Sequence, residues 1–297
     1  MLSWTAAGAV ERPRTLQIRV QRSYPGRIRA GAPVPTRAMS VEEIRANLRY
    51  FTEGMTGPRT QPCTGLVLSG VGVAARDDIP PLVVEARAWG IEEVVLHVGV
   101  EDLQRFDAEG WRNHADVLVV PIQPGTVGGQ LESAVQAMRD AKREGFRLYA
   151  NTVLNDRALD RLKVIARLLI AASPDGVTFT YPFPVDGGTS GTAPPPGRTL
   201  AALSPVFAAL EAAGIEPRIK GLPACYLGAL AGRLARTGNR LYVDADHQKN
   251  EALMFFPQVV SFAKDEGCRF CAADERCDGF FATYLRREGY PPLEPVL

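Results

Sequence analysis

Residues 65–98 read GLVLSGVGVAARDDIPPLVVEARAWGIEEVVLHV, and this stretch decides the fold class. Its two ends, residues 65–69 and 93–98, are short apolar runs with the length and composition of buried strands. The run between them, residues 79–89, predicts a helix that ends at Gly90. A strand, a helix and a second strand in this order predict a parallel βαβ unit.

The same alternation continues on both sides of this unit. We predict strands over residues 15–20, 117–121, 147–153, 176–180 and 216–220, and helices over residues 40–52, 103–111, 130–144, 157–172 and 200–213. Because parallel strands are joined by right-handed crossovers, few topologies remain. The sequence predicts an α/β fold, a partial (β/α)6 TIM-like barrel, with an open doubly wound sheet as the alternative.

The chain divides into three predicted segments. Residues 1–14 form an N-terminal extension, residues 15–220 form the part-barrel, and residues 221–297 form a C-terminal cysteine-rich module in which the alternation stops. In both candidate topologies, ligands are expected at the carboxyl ends of the strands.

Composition bounds the cellular setting and the partners. The chain has 297 residues and a net charge of +1, so no overall charge favours nucleic acid or an anionic membrane. The first residues lack the pattern of a signal peptide, and no apolar run reaches the roughly 18 residues of a membrane span. We therefore expect a cytoplasmic protein, in which structural disulfides are rare.

Four of the five cysteines lie in the C-terminal module. Cys268, Cys271 and Cys277 fall within CRFCAADERC, and Cys225 follows a Leu-Pro pair in LPACYLG. Two residues between ligands let a tight turn direct both sulfurs at one metal site, and a fourth thiolate would complete it. Either tetrahedral zinc or a cubane iron–sulfur cluster suits four thiolates, and spacing does not distinguish them. Unligated thiols or disulfides are the alternative, and the isolated Cys63 is interpreted as a small core residue.

The tail CRFCAADERCDGFFATYLRREGYPPLEP, residues 268–295, resembles the auxiliary-cluster segment of a subset of radical S-adenosylmethionine enzymes, of the SPASM or twitch type. The stretches YANTVLN, residues 149–155, and VTFTYPFP, residues 177–184, resemble barrel strands of the same superfamily. The resemblance implies a [4Fe–4S] cluster held by Cys225, Cys268, Cys271 and Cys277, with zinc as the alternative metal.

The chain departs from this family at the catalytic cluster. The family's CxxxCxxC motif follows the first strand, and the aligned positions here are Ser23, Arg27 and Ala30. The Gly-Gly-Glu motif of the second strand is replaced by Gly70-Val71-Gly72. Because none of the three aligned side chains is a thiolate, we expect no cleavage of S-adenosylmethionine and do not expect it as a cofactor.

Four residues near the carboxyl ends of predicted strands are candidates for ligand binding. They are Asn151, His97, Gly70 and Gly72. A hydrogen-bonded core residue is the alternative for both Asn151 and His97. Weaker candidates are a metal-binding group of Asp244, Asp246 and His247, an anion-binding turn at residues 126–129, and a basic docking loop with Arg27, Arg29 and Arg37.

These observations predict a pseudoenzyme, an iron–sulfur protein that acts as the partner of an active radical S-adenosylmethionine paralogue, in a heterodimer, or binds its substrate. A peptide is the expected substrate class. Two alternatives remain open: a redox or catalytic protein that uses its single C-terminal cluster, and a zinc-stabilised binding protein without redox activity.

Overall fold

One parallel sheet organises the chain. The computed structural model describes residues 14–21, 37–53, 62–122, 131–183, 193–235, 240–252, 262–286 and 290–296. Eight described strands lie in the order β7-β6-β5-β4-β3-β2-β1-β8, and every neighbouring pair is parallel. The strands are Thr15–Gln21 (β1), Gly65–Gly70 (β2), Glu93–His97 (β3), Val117–Pro121 (β4), Arg147–Val153 (β5), Gly176–Thr180 (β6), Glu216–Lys220 (β7) and Arg240–Val243 (β8).

Helices connect most consecutive strands. They are Val41–Thr52 (α1), Ile79–Ala88 (α2), Val100–Leu103 (α3), Ala108–Trp111 (α4), Leu131–Arg143 (α5), Asp156–Asp160 (α6), Leu162–Ala172 (α7) and Pro196–Ala212 (α8). Two predicted helices are each divided in two, and Arg161 separates α6 from α7. Among the described residues, none of the helices has the length and apolarity needed to cross a membrane.

The strand order follows the chain order from β1 to β7, as in a TIM-like barrel. The predicted α/β part-barrel is therefore confirmed, and the parallel sheet extends to eight strands. The last strand, β8, lies beyond residue 220 and pairs with β1, with Thr15 opposite Arg240. The domain boundary at residue 220 stays a prediction.

The capping box at the start of α1 shows how local sequence determines where a helix begins. The Ser40 hydroxyl accepts a hydrogen bond from the Glu43 backbone N–H, and the Ser40 N–H donates to the Glu43 carboxylate. The Ser40 N–H, together with the neighbouring Arg37 guanidinium, lowers the pKa of Glu43 to about 2. The helix start predicted from Ser40 and Glu43 is therefore confirmed.

A cluster of aromatic side chains docks the C-terminal segment onto the end of β6. This segment contains an antiparallel pair, Phe262–Ala263 (β9) and Phe280–Phe281 (β10), and two short helices, Ala224–Leu227 (α9) and Ala282–Leu285 (α10). The Tyr284 hydroxyl donates to the Pro182 carbonyl at 3.0 Å, and its ring packs edge-on against Tyr181. Because both tyrosines are fully buried, the segment has a fixed position relative to the sheet.

Candidate metal centre

Cys268 and Cys271 are positioned by one turn of 3-10 helix, Glu266–Phe270. The Asp265 side chain caps this turn by accepting from the Gly267 N–H, and the Cys271 N–H donates to the Cys268 carbonyl at 3.0 Å. Since side chains three residues apart in a 3-10 helix lie on the same side, the C-x2-C spacing places both thiols on one face.

The other two cysteines reach the same place from separate elements. Cys277 directly follows a second 3-10 turn, Asp274–Arg276. Cys225 lies in α9, which begins after Pro223. The four cysteines line one pocket, together with Pro223, Ala224, Lys264, Asp274, Gly279, Leu293 and Glu294. The structure therefore brings together the four thiols that the sequence predicted as a set.

Backbone N–H groups surround the sulfur atoms. The Cys277 sulfur accepts from the N–H groups of Ala224 and Gly279, each at 3.4 Å. The Cys271 sulfur accepts from Ala273 at 3.4 Å and from Val296 at 3.2 Å. Donors aimed at sulfur stabilise its thiolate form, the form that binds metals.

The pocket also contains one ion pair. Lys264 Nζ lies 2.6 Å from Asp274 Oδ1 and donates to the Asp274 carbonyl at 2.8 Å. The lysine also contributes positive charge near Cys277, which favours the thiolate of that residue. Sequence reasoning did not identify Lys264, because a lone lysine ten residues before its partner matches no motif.

Burial shifts the thiol pKa in the opposite direction to the N–H groups and Lys264. Burial is the largest effect on both Cys225 and Cys277 and raises their thiol pKa above the ordinary value. The backbone donors and Lys264 only partly offset it at Cys277. Both side chains are therefore neutral thiols near neutral pH unless a metal replaces their protons.

No preformed single-ion site accompanies these cysteines. Within the described ranges, no group of three or more His, Cys, Asp or Glu side chains is arranged to hold one metal ion. Cys225, Cys268, Cys271 and Cys277 are not joined in disulfides. The donor set still has the chemistry of a thiophilic centre, with four sulfurs, apolar walls and several N–H donors.

Cys63 lies apart from this pocket. Its side chain is 1% exposed in the main hydrophobic core, and its backbone N–H donates to the Phe51 carbonyl at 3.0 Å. Burial raises the pKa of this thiol to about 12, so it is neutral. These contacts are those of a small core residue.

Candidate ligand residues of the barrel have structural partners. Asn151 accepts from the Thr180 hydroxyl at 2.8 Å, and Gly72 N–H donates to the Asp102 carboxylate at 3.1 Å. Gly70 has φ +124°, and a Cβ there would lie 2.5 Å from the Gln21 carbonyl oxygen, so the approach of β1 requires glycine. Burial, with Arg240, Lys220 and Arg19, lowers the pKa of His97 to about 3.

The weaker candidates for metal, anion and partner binding have different outcomes. The Asp244 carboxylate lies 3.0 Å from His247 Nδ1 and accepts from the backbone N–H groups of Asp246 and His247, which stabilises the turn after β8. The turn at residues 126–129 and two arginines of the basic loop, Arg27 and Arg29, lie outside the described residues, as do Ser23 and Ala30 at the aligned motif positions. Arg37 is described, and it pairs with Glu43.

Comparison with known proteins identifies the fold of this chain through solved structures. No protein-family model matches the chain, and no curated protein matches its sequence. SuiB of Streptococcus suis bound to the precursor peptide SuiA matches with TM-score 0.62 and 10% identity, over 95% of this chain and 75% of that chain. SuiB bound to S-adenosylmethionine matches with TM-score 0.57 and 11% identity, over 96% and 77%.

A third solved structure, native anSMEcpe with bound AdoMet, has TM-score 0.55 and 10% identity, over 95% of this chain and 93% of that chain. SuiB and anSMEcpe have each been solved with S-adenosylmethionine (AdoMet) bound. At 10–11% identity the likeness concerns architecture alone, and this chain shares the TIM-like α/β fold of these structures.

Proposed function

We propose that this chain binds one [4Fe–4S] cluster through Cys225, Cys268, Cys271 and Cys277. The observation that carries the proposal is the convergence of these four thiols on one pocket, with backbone N–H groups directed at two of the sulfurs. Hydrogen bonds to cysteine sulfur are a common feature of iron–sulfur sites, where they adjust the reduction potential. A cluster bound there would supply one-electron transfer.

The resemblance of residues 268–295 to an auxiliary-cluster segment favours a cluster over zinc. By chemistry alone the four thiols that line the pocket suit either group, since tetrahedral zinc and a cubane iron–sulfur cluster both take four cysteine ligands.

The proposed protein does not cleave S-adenosylmethionine. Ser23, Arg27 and Ala30 stand where the superfamily has its three catalytic cysteines, and none of them can bind iron as a thiolate. The four remaining cysteines of the module would close the auxiliary cluster. A part-barrel that keeps the auxiliary cluster without the catalytic one is suited to binding and positioning.

We propose that the substrate bound is a peptide and that the chain acts beside an active paralogue. The fold is shared with SuiB, which has been solved with its precursor peptide SuiA, and this likeness supports the choice of a peptide. Affinity-tagged chain co-expressed with a complete radical S-adenosylmethionine enzyme of the same genome should co-purify as a heterodimer. Elution of the two proteins as separate monomers would contradict the partnership.

Metal analysis tests the cluster itself. Protein purified without oxygen should be brown and should contain about four irons and four sulfides per chain. Cys271→Ala should lose most of this iron, whereas Cys63→Ala, a matched cysteine change in the core, should keep it. Stoichiometric zinc in a colourless protein would refute the cluster and favour the zinc-stabilised alternative.

A further inference from the structure

The inner face of the curved sheet is defined by strand alternation. On β1 the side chains of Leu16, Ile18 and Val20 are fully buried in the core, so Gln17 and Arg19 project to the opposite face. The same alternation on the other strands assigns to this inner face His97 of β3, Lys220 of β7, and Arg240 and Tyr242 of β8.

Contacts and electrostatics bring these side chains together. Arg19 lies opposite Ser69 in the register of β1 and β2. The Gln17 amide donates to the Ser69 hydroxyl at 3.3 Å and accepts from Arg240 Nη1 at 3.2 Å. His97 lies within electrostatic reach of Arg240, Lys220 and Arg19, which are on three other strands. The two edges of the sheet, β7 and β8, therefore face a common interior.

This interior admits solvent. Burial lowers the pKa of His97 to about 3 and that of Lys220 to about 8, so both side chains lie largely within the protein. Both side chains nevertheless keep an intermediate accessible surface, and Arg240 does so as well. Ligands in solution can therefore reach these side chains, and a surface of one charge sign concentrates ions of the opposite sign.

The acids described near these positive charges are bonded to other groups. Glu93 and Glu216, which have inward positions on β3 and β7, each bond an arginine, namely Arg147 and Arg218. Asp244, after β8, is bonded to His247 and to backbone N–H groups. Across the described ranges no ion pair joins an acid to Arg19, Lys220 or Arg240.

We propose that this inner face is a binding site for a small anionic ligand carrying a phosphate or carboxylate group, held by Arg19, Lys220 and Arg240 beside His97. Arginine binds both groups through paired N–H donors, and lysine adds a point charge. His97 is neutral, so it offers one ring N–H donor and one acceptor. The site involves none of the four cysteines and does not depend on the proposed cluster.

Calorimetric titration tests the site with two probes, inorganic pyrophosphate and succinate, which separate phosphate from carboxylate recognition. The intact protein should bind at least one of them. Lys220→Gln and Arg240→Gln should each weaken that binding about tenfold, the effect of losing one charge-assisted contact. Arg218→Gln is the matched control, because it removes an inward arginine of β7 that already pairs with Glu216.

Melting curves of all variants, measured without ligand, confirm that each one folds. Tighter binding of pyrophosphate assigns a phosphate-bearing ligand, and tighter binding of succinate assigns a carboxylate. Failure of both probes to bind the intact protein would overturn the proposal. Equal weakening by Arg218→Gln and by Lys220→Gln would also overturn it, since the effect would then reflect general charge.

Discussion

Cys271 and Val296 are linked through the backbone from both sides. The Val296 N–H donates to the Cys271 sulfur at 3.2 Å, and the Val296 carbonyl accepts from the N–H of Ala272, the residue after the cysteine, at 2.8 Å. Residues near 296 therefore form one wall of the cysteine pocket. The first of these two bonds also supplies a donor to a proposed cluster ligand.

The donor at residue 296 can be removed without removing the residue. Val296→Pro eliminates the N–H, whereas Val296→Ala keeps it and serves as the control. One hydrogen bond contributes about 1 kcal/mol, so the proline variant should lose iron to a chelator about fivefold faster than the alanine variant. Its reduction potential should also be more negative, because the proline variant loses a hydrogen-bond donor that stabilises the reduced cluster. Equal potentials for the two variants would contradict a role for this bond.

Ligand identity is tested by comparing two cysteines. Cys225→Ala should reduce the iron content, because its side chain lines the pocket with the other three thiols. Cys63→Ala should leave iron unchanged, because Cys63 is buried in the core. We expect the Cys63 variant to lose about 1 kcal/mol of unfolding free energy from packing alone. Loss of iron in Cys63→Ala with full iron in Cys225→Ala would place the metal elsewhere.

The sequence predicted the members of the pocket but not its walls. Cys268 and Cys271 have a spacing that local 3-10 geometry explains, and the strand order follows from alternation along the chain. The contact between Cys271 and Val296 joins residues 25 positions apart, and no short motif encodes it. Lys264 was missed for the same reason. Contacts of this kind depend on how the aromatic cluster docks the C-terminal segment.

The inner face of the sheet illustrates a second limit of prediction from sequence. Arg19, Lys220 and Arg240 lie on β1, β7 and β8, and each is an ordinary polar residue within its own strand. Their shared location becomes visible only when the sheet curves and brings its two edges near one interior. The alternation of β1 predicts that Arg19 leaves the core, but it does not reveal which other charges it meets.

Alanine substitutions at Gly70 and Gly72 test whether the backbone structure requires glycine at each position. An alanine at Gly70 would combine φ +124° with a Cβ 2.5 Å from the Gln21 carbonyl oxygen, so we expect a loss of about 3 kcal/mol or more in unfolding free energy. At Gly72, φ is +69° and no atom lies within 4 Å of the added Cβ. Gly72→Ala should therefore cost only about 1 kcal/mol.

Urea denaturation of the two glycine variants measures this difference. The alanine at residue 70 should lower the midpoint much more than the alanine at residue 72, with similar slopes. Similar stability for both variants would mean that the close approach of β1 does not determine the choice of glycine at residue 70.

The last prediction concerns S-adenosylmethionine. Incubated with this cofactor and a strong reductant, the protein alone should form no 5′-deoxyadenosine. Cleavage requires an iron with an open position, and Ser23, Arg27 and Ala30 provide no thiolate to hold one. Four cysteines at the proposed auxiliary cluster would leave no iron open there. In addition, Gly72, in the altered Gly-Gly-Glu position, already donates its N–H to Asp102. Formation of 5′-deoxyadenosine by the intact protein, above the level of a Cys271→Ala control, would mean that the cysteine pocket holds a cluster with an open iron and performs the chemistry itself.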